Sequence, residues 1–508
     1  MNPLEAFAGP IQALLKNCRP EQGVYLVGGA VRDLLRGVPL HDLDFALPEP
    51  VKPVARGLAA ALGGALYALD EARGTYRIVE TRPDSSRFTY DLAALRGRDL
   101  QADLEDRDFT LNAIAIDLRS PDQLIDPLGG AQDLHDAVLR ACTPASFQND
   151  PARVLRAVRQ SIQFHLHIEK QTLSALKQAI PGLDRVSMER QRDEFMRILA
   201  GVQPAAALRI LDQLGVLERL LPEIQAMKGV EQSAPHVLDV WGHTLAAVGE
   251  LERVFGSLAE PFTEEKSSSL WMGIASQHLG RYRPQLTEYV QAELVADRPR
   301  RGLLMLAALL HDARKPHNRT VDEHNKVHFY NHDEEGAHTA REAARRLKLS
   351  EDEADFVARV VGGHMRVHHL AKTGRPVSRR SVYRFFQATG DAGVGVVLHS
   401  LSDTLATYGF TLPQTTWEAE VNTGRTLLEA WFEKPEESVN PPRIITGSDM
   451  IQILGLQPGP LIGRILAAIT EKQACGTIVT RQQALDLATR MAAQALPAEG
   501  EADGTEAH

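Results

Sequence analysis

The sequence VYLVGGAVRDLLRGVPLHDLDFA, residues 24–46, decides the fold of the first part of the chain. It begins with four apolar residues, a pattern that predicts a short buried strand. The pair Gly28-Gly29 interrupts this strand, and residues 30–35 then predict a helix, which ends at Gly37 and Pro39. Strand, glycine turn and helix in this order indicate an α/β unit.

The end of this stretch carries two acids. Asp42 and Asp44 are two residues apart, so on a strand both carboxylates lie on one face while Leu43 and Phe45 face a core. Paired carboxylates are ligands that suit magnesium, and the N–H groups of a glycine turn at a helix start suit a triphosphate. Either part alone would more often be an ordinary turn or a solvated strand edge. Together they predict a magnesium-dependent site for phosphoryl transfer.

The composition is that of a globular protein of several modules, about three to five for 508 residues. No apolar run is long enough to span a bilayer. The N-terminus lacks the features of a secretory signal and the three cysteines are far apart, so we expect a cytoplasmic location and no membrane attachment. The net charge of −10 means that any nucleic-acid binding needs a local basic surface.

Short apolar runs alternate with turns and helical patterns up to about residue 140. Residues 51–69 predict a helix, and residues 76–79 and 88–92 predict strands of the same sheet. Asp91 follows such a strand and is a candidate third carboxylate beside the first two acids. A structural aspartate at a strand end fits this spacing equally well.

A helical pattern follows, and it begins at Asp150 and Pro151, which predict an N-cap and a first helical position. Arg153, Arg156 and Arg159 recur about one turn apart on this helix. Such a stripe is usually a solvated or ion-paired face. Beside a catalytic domain it could also hold phosphates or a base edge.

Six motifs in this order resemble those of the class II tRNA nucleotidyltransferases and the related bacterial poly(A) polymerases. The resemblance covers roughly residues 20–225. The motifs are LVGGAVRD (26–33), DLD (42–44), RDFTLNA (107–113), DPLGG (126–130), DPARVLR (150–156) and ERQRDE (189–194).

The resemblance implies a role for each matching position. Catalytic magnesium ions would bind at Asp42 and Asp44, with Asp91 as an auxiliary carboxylate. The residues implied to hold the triphosphate and the ribose and phosphates are Gly28, Gly29, Arg32, Arg107, Asp108 and Asn112. The residues implied to read the edge of the incoming base are Asp150 and Arg153, supported by Arg156 and Arg159. The 3′-hydroxyl of tRNA would attack the α-phosphate in line, without a nucleic-acid template.

Two departures from the family pattern bear on specificity. An arginine often precedes the matched Arg107-Asp108 pair, whereas this chain has Asp106 there. Enzymes that add a complete CCA end carry a flexible loop before this pair, which is thought to help the base site switch from CTP to ATP. Here only residues 97–106, GRDLQADLED, remain. We therefore expect addition of CC from CTP, with use of ATP less expected and a separate enzyme adding the final A.

The second half of the chain contains an apolar helix that ends at His311-Asp312, with a further histidine before it and an acid after it. This arrangement resembles the HD metal-dependent phosphohydrolases. The resemblance implies a divalent transition metal such as manganese, nickel or iron. The implied ligands are His243, His311, Asp312 and Asp403, with His332 and His364 at a second metal position. The alternative is a helical scaffold without a metal.

We expect an α/β nucleotidyltransferase head with a mixed sheet, followed by an all-α neck, body, HD domain and tail. The expected parts are the head or palm (1–140), the neck with the base-recognition helix (141–200), the body (201–230), the HD domain (231–432), a linker (433–443), a helical tail (444–492) and a disordered acidic tail (493–508). Arg379-Arg380 is a small basic patch.

Other functions stay open alongside CC addition. A full CCA-adding or an A-adding enzyme uses the same motifs. A poly(A) polymerase is less expected, because such enzymes tend to carry a basic C-terminal tail and this one is acidic. An RNA-binding HD phosphohydrolase with an inactive head, or a non-catalytic RNA-binding protein, conflicts with the intact Asp42/Asp44 pair. The expected partner is tRNA, bound by the arginine-bearing helices between Arg153 and Arg197.

Overall fold

The computed structural model describes residues 3–82, 87–261, 263 and 269–495. The chain divides into two compact units, Met1–Phe195 and Met196–His508. The disorder predicted for residues 493–508 falls, from residue 496 on, outside the described residues. Within the described ranges no helix combines the length and the apolar character needed to cross a membrane.

A seven-stranded sheet forms the centre of the first unit. Its strands are β1 (Tyr25–Val27), β2 (Asp42–Leu47), β3 (Ala65–Asp70), β4 (Thr75–Thr81), β5 (Arg87–Ala94), β6 (Ala115–Asp117) and β7 (Leu124–Ile125). They lie in the order β3-β4-β5-β2-β1-β6-β7. Strands β2 and β5 run parallel, and the other neighbouring pairs run antiparallel. The sheet is therefore mixed, as predicted.

The alternation predicted along β2 is confirmed. Leu43 and Phe45 are 0% and 1% exposed and pack with Leu26 and Val31 in the main apolar core of this unit. Their neighbours on the strand, the two acids, therefore lie on the opposite face. Burial of the apolar face fixes the direction in which the acids point.

The helices of the first unit flank this sheet and continue beyond it. They are α1 (Ala8–Lys16), α2 (Gly29–Leu35), α3 (Val51–Leu62), α4 (Leu100–Glu105), α5 (Gly130–His135), α6 (Ser146–Asn149), α7 (Arg153–Gln163), α8 (Lys170–Ala179) and α9 (Met188–Ala200), in which this unit ends. Two short strands, β8 (Val138–Leu139) and β9 (His167–Ile168), pair in parallel.

Two predicted boundaries were wrong. The helix predicted for residues 51–69 ends at Leu62, because Gly63 takes a left-handed conformation (φ 64°) and the chain turns into β3. The helix predicted to begin at Asp150 begins at Arg153, and Ala152 is its N-cap. Asp150 is therefore not the N-cap, and its carboxylate can make other contacts.

The second unit is built almost entirely of helices. They are α10 (Pro204–Gln213), α11 (Leu217–Leu220), α12 (Val240–Leu258), α13 (Leu270–Leu279), α14 (Arg283–Gln291), α15 (Arg300–Leu310), α16 (His332–Arg346), α17 (Glu351–Gly363), α18 (Met365–Lys372), α19 (Arg379–Thr389), α20 (Gly393–Tyr408), α21 (Gln414–Phe432), α22 (Pro435–Ser438), α23 (Gly447–Leu454), α24 (Pro460–Ala474) and α25 (Arg481–Ala495). Two small hairpins join β10 (Glu293–Val295) to β11 (Arg298–Pro299) and β12 (Arg319–Val321) to β13 (Val327–Phe329).

Helix α20 is the centre of the second unit, since it is buried along most of its length and packs on α12, α17 and α21. The C-terminal helices dock through charge. Arg380 and Arg384 pair with Glu471 of α24 at 2.7 and 2.8 Å, and Arg379 pairs with Glu437. The basic patch predicted at Arg379-Arg380 is therefore neutralised by acids of the same chain.

Phe45→Ala is expected to destabilise the first unit by about 3–5 kcal/mol, because it removes a fully buried ring from a close-packed core. Thermal unfolding followed by circular dichroism measures the change. The matched control is Tyr67→Ala on edge strand β3, where the side chain is 54% exposed. An equal loss of Tm in both variants would show that β2 is not packed as described.

Candidate active site and candidate metal centre

Three carboxylates meet on the central strands of the first unit. Asp44 on β2 is the register partner of Asp91 on the parallel strand β5, and Asp42 lies one pleat away on the same face. The structure thus brings together all three acids that the sequence pointed to. Sequence reasoning missed Arg77, which is the partner of Asp91 across the β4–β5 pair and donates to both of its oxygens at 2.8 Å. Arg77 alternates with the apolar Tyr76 and Ile78 along the predicted strand, and this pattern could have indicated that Arg77 lies on the polar face of the sheet.

Crowding changes the acidity of this cluster. Burial, and after it the charges of Asp42 and Asp91, raise the pKa of Asp44 to about 7 against the opposing pull of Arg107 and Arg156. Burial and the same kind of repulsion also raise the pKa of Asp42. Adjacent carboxylates with raised pKa values form a donor set that a divalent cation satisfies, because the cation replaces the protons.

The glycine turn lies directly against this cluster. Gly28 has a φ of 72°, and a Cβ at this position would come 3.1 Å from Arg107 Nη1 and 3.3 Å from Asp44 Oδ2. Only glycine allows both the conformation and the close approach. The turn therefore brings backbone N–H groups next to the acids, as the sequence predicted.

A chain of hydrogen bonds and ion pairs joins several of the predicted binding residues. Arg32 Nη1 donates to Asn112 Oδ1 at 2.8 Å, and Asn112 Nδ2 donates to Asp108 Oδ1 at 3.0 Å. Arg156 Nε lies 2.5 Å from Asp108 Oδ2. Although burial opposes it, the Arg156 charge holds the pKa of Asp108 below its ordinary value. Arg32, Asn112 and Asp108, which the sequence predicted to be binding residues, thus share one network with helix α7.

The same network extends to helix α9. Arg159 Nε donates to Glu194 Oε2 at 2.8 Å, and Arg156 Nη1 lies 3.7 Å from Glu194 Oε1. The arginine stripe of α7 therefore has carboxylate partners on two sides. Of the two interpretations left open for the stripe, an ion-paired face describes Arg156 and Arg159.

Asp150 and Arg153 have different partners in this structure. Asp150 Oδ2 accepts from Arg190 Nη2 at 2.7 Å. The guanidinium of Arg153 donates to Ser146 Oγ at 2.6 Å, Asp106 O at 2.8 Å and Arg107 O at 3.1 Å. Arg190, which the sequence analysis quoted only as part of a motif, is therefore an additional candidate beside the base-reading pair.

The short segment before Arg107 is structured. Residues 100–105 form α4, and the side chain of Asp99 caps it by accepting from Ala102 N at 2.9 Å. Asp103 is 1% exposed, accepts from Arg96 N at 2.9 Å and pairs with Arg107 at 2.8 Å. The sequence predicted that the flexible loop of CCA-adding enzymes is absent between Arg96 and Arg107. In the structure this short segment forms a capped helix with a buried acid.

A second cluster lies in the second unit, where His243, His311, Asp312 and Asp403 converge. His243 Nε2 lies 2.9 Å from Asp403 Oδ1 and 3.2 Å from His311 Nε2. His311 Nε2 lies 3.1 Å from Asp312 Oδ2. All four side chains are buried. The structure thus assembles the set from helices that are far apart in sequence.

His332 and His364 form a second group around the other oxygen of Asp312. Their Nε2 atoms are 3.2 Å apart and lie 3.5 and 4.0 Å from Asp312 Oδ1. The Nδ1 atom of each ring lies within 2.7 Å of a backbone carbonyl, of Phe329 and Val361, to which it donates. Each Nε2 therefore carries a lone pair, and two lone pairs face each other. Asp312 Oδ1 is buried and has no hydrogen-bond donor among the described residues.

This donor set fits a divalent cation, because a cation between the facing lone pairs would turn repulsion into coordination. His243, His311 and Asp312 form one group whose ligand atoms lie within 4.8 Å of one another, and Asp312, His332 and His364 form another. Asp312 belongs to both groups, so a two-metal arrangement would share this carboxylate.

Sequence reasoning missed the residues around these ligands. Lys315 Nζ lies 2.7 Å from Asp312 Oδ2, three residues further along the chain. His368 lies between Asp403 and Glu420, at 2.8 and 2.9 Å. Burial opposes protonation of His368, but the two carboxylates raise its pKa to about 10. The spacing His311-Asp312-x-x-Lys315 was a signal for the lysine, whereas no local signal marks Glu420.

The sequence matches three families in succession. These are "Poly A polymerase head domain" over residues 24–140, "Probable RNA and SrmB- binding site of polymerase A" over residues 165–228 and "HD domain" over residues 274–385. His243 and Asp403 lie outside the last range, although the structure brings them to His311 and Asp312.

Two curated proteins resemble the chain over most of its length. An A-adding tRNA nucleotidyltransferase of Deinococcus radiodurans is 33% identical over 476 residues, 92% of this chain and 96% of that protein. A CC-adding tRNA nucleotidyltransferase of Thermus thermophilus is 30% identical over 469 residues, 90% of this chain and 91% of that protein. The solved complex of a CCA-adding enzyme with CTP matches with a TM-score of 0.56 at 22% identity, covering 96% of this chain and 98% of that one. The resemblance and the fold class inferred from the sequence are confirmed.

Asp44→Asn is expected to raise the Tm of the metal-free protein at pH 8. Burial raises the pKa of Asp44 from 3.8 to about 7. Between these two pH values the folded state therefore binds more protons than the unfolded state. The stability from this group is therefore present at low pH and is lost as the pH rises through about 7. Differential scanning calorimetry in EDTA at pH 4 and pH 8 measures this.

The control for this prediction is Asp122→Asn, which changes an exposed acid in a loop. The gain in Tm of the Asp44→Asn variant should disappear at pH 4 and should also shrink at pH 8 when magnesium is added. The same Tm difference at both pH values would contradict the raised pKa of Asp44.

Proposed function

The chain belongs to the family of tRNA nucleotidyltransferases and poly(A) polymerases, and from that premise we propose that it adds two CMP residues from CTP to the 3′ end of tRNA and then stops. The observation that carries the proposal is the short segment between Arg96 and Arg107. It forms a capped helix whose buried Asp103 holds Arg107 at 2.8 Å. A segment fixed in this way has little freedom to reshape the base site for a second nucleotide.

The reaction would join the 3′-oxygen of tRNA to the α-phosphorus of CTP and release pyrophosphate. Asp42 and Asp44 would hold magnesium, with Asp91 oriented beside them by Arg77. Bound magnesium would neutralise phosphate charge and favour ionisation of the attacking hydroxyl. The clustered acids thus bind and orient, which is what in-line transfer requires of a protein.

The triphosphate would lie along the glycine turn. The N–H groups near Gly28 and Gly29 lead into the first turn of α2, where a helix favours an anion. Arg32 lies on the same helix. Arg107 Nη1 lies 3.1 Å from the point that a Cβ atom on Gly28 would occupy. Asp108 and Asn112 would contact the ribose and also hold Arg32 and Arg156 in place.

The base would be read by Asp150 and Arg153. Their present partners are exchangeable polar groups, Arg190 for Asp150 and three backbone carbonyls and a hydroxyl for Arg153. A carboxylate and a planar guanidinium offer an acceptor and paired donors, which match the Watson–Crick edge of cytosine. Arg156 and Arg159 would support this face through Glu194.

Addition of A is the second candidate for the head. It is favoured by the Deinococcus radiodurans relative, which is named as an A-adding enzyme and is similar over 92% of this chain. The two activities need the same carboxylates and differ in the nucleotide and in the tRNA end that is accepted. Assays with different nucleotides and tRNA ends therefore distinguish the two activities, whereas mutation of the catalytic residues does not.

We also propose that the second unit is a metal-dependent phosphohydrolase acting on phosphate esters at RNA ends. Support comes from the two ligand groups that share Asp312 and from the facing Nε2 atoms of His332 and His364. The bound metals would activate water and polarise the phosphoryl group. Lys315, 2.7 Å from Asp312 Oδ2, would balance part of the charge of this carboxylate beside the metals.

A tRNA that ends at the discriminator base should gain two C residues when CTP and ATP are both present, and sequencing of the products measures this. Asp42→Ala should abolish addition by removing a metal ligand, while Asp122→Ala in the exposed loop should leave it unchanged. A product ending in CCA would contradict the two-residue stop. Extension by ATP only of tRNA already ending in CC would support the second candidate instead.

His311→Ala and Asp312→Ala should reduce metal-stimulated phosphatase activity by at least about 100-fold, and CMP addition should persist. The readouts are release of phosphate from a 3′-phosphorylated oligonucleotide and CMP incorporation into tRNA. His317→Ala is the matched control, because His317 is exposed on the same segment. Phosphatase activity that survives in the His311→Ala and Asp312→Ala variants would refute a metal centre at Asp312.

A further inference from the structure

A pocket of about 360 Å³ opens on the surface of the second unit between α16 and α17. Its lining includes three arginines and one acid, Arg341, Arg359, Arg366 and Glu334, together with His338. Alanine and glycine residues, among them Gly362 and Gly363, line the rest. The pocket is therefore strongly basic although the whole chain carries a net charge of −10.

The arginines of this pocket differ from other arginines of the same helices. Arg345 on α16 pairs with Glu351 at 2.6 Å, which satisfies its charge within the chain. Arg359 and Arg366 are exposed and have no ion pair among the described residues. Arg341 pairs with Asp355 through Nη2 at 2.8 Å, but its Nε is buried without a hydrogen-bond partner. The pocket thus contains two arginines whose charge is not balanced by an acid among the described residues, and such guanidinium groups are available to pair with an anion.

The position of the pocket relates it to the second ligand group. Residues 334, 337, 338 and 341 share the face of α16 opposite His332, and residues 358, 359, 362 and 366 lie opposite His364. His332 and His364 are buried on the other side, with their Nε2 atoms 3.2 Å apart. The pocket is therefore distinct from the metal ligands, yet it uses the two helices that hold them.

We propose that this pocket binds a nucleoside monophosphate, independently of both catalytic activities proposed above. Arg359 and Arg366 bind the phosphate, because a guanidinium presents parallel N–H donors that match phosphate oxygens. The volume of about 360 Å³ exceeds the need of inorganic phosphate and lies in the range of small-molecule sites. Ala337, Ala358 and Ala388 give the pocket a small apolar wall beside the arginines. Arg359 and Arg366 lie near the end of α17 and at the start of α18, and Arg341 of α16 lines the same pocket, so a ligand that contacts all three connects these helices.

Hydrogen exchange of the full chain in EDTA, with CMP as the probe, tests the proposal and localises binding away from the head. CMP should slow exchange of the amides of residues 332–346 and 351–366. In the double variant Arg359→Ala/Arg366→Ala this protection should need at least about 10-fold more CMP. Arg345→Ala, which removes an ion-paired arginine from α16, is the matched control and should behave as wild type.

The outcomes separate the possible sources of the phosphate. Equal protection by CMP in wild type and double variant would overturn the proposal, as would absence of protection in these helices. Protection by inorganic phosphate at the same concentration as by CMP would show that no nucleoside is recognised, which also overturns it. Protection by an RNA oligonucleotide but not by CMP would assign the pocket to an RNA strand and overturn it as well. Unchanged Tm and unchanged CMP addition by the double variant verify that it is folded.

Discussion

Repulsion among three carboxylates is the constraint on which the first unit depends. The parallel pairing of β2 with β5 holds Asp44 and Asp91 in register, and the pleat holds Asp42 beside them. Burial, and after it the repulsion of Asp42 and Asp91, raises the pKa of Asp44 to about 7, which is the cost of placing the three acids together. Burial of Leu43 and Phe45 on the other face of β2 offsets it, since the strand cannot turn its acids away without exposing its apolar side. Strain of this kind is typical of a site built for a cation.

The arginines around these acids form a second layer. Arg77 donates to Asp91 and orients it. Arg107 lies close to the glycine turn and to the acids, and its ion pair with the buried Asp103 fixes its position. The link from Arg32 through Asn112 and Asp108 to Arg156 connects the head to helix α7. Binding of a triphosphate at one end of this network would therefore affect helix α7, which carries Arg153, one of the two residues proposed to read the base.

Local sequence patterns predicted much of this arrangement. The alternation Asp42-Leu43-Asp44-Phe45 and the Gly28-Gly29 turn needed only the period of a strand and the conformational freedom of glycine. The helix predicted for residues 51–69 failed because an alanine- and leucine-rich run does not reveal that Gly63 reverses the chain into an edge strand. Local patterns also did not predict which residues these side chains contact. Arg153 donates to the carbonyls of Asp106 and Arg107, and Glu420 pairs with His368 from a helix that is distant in sequence. Such contacts are set by tertiary packing, which a single sequence does not report.

The proposed nucleotidyl transfer depends most on a cation held between Asp42 and Asp44. Anomalous diffraction from crystals grown with manganese and a non-hydrolysable CTP analogue tests this directly, because the scattering locates the metal without assuming its ligands. We expect a peak within about 2.5 Å of a carboxylate oxygen of each of these two residues, next to the α-phosphate. A nucleotide bound in the head with no metal peak at Asp42 and Asp44 would contradict the account.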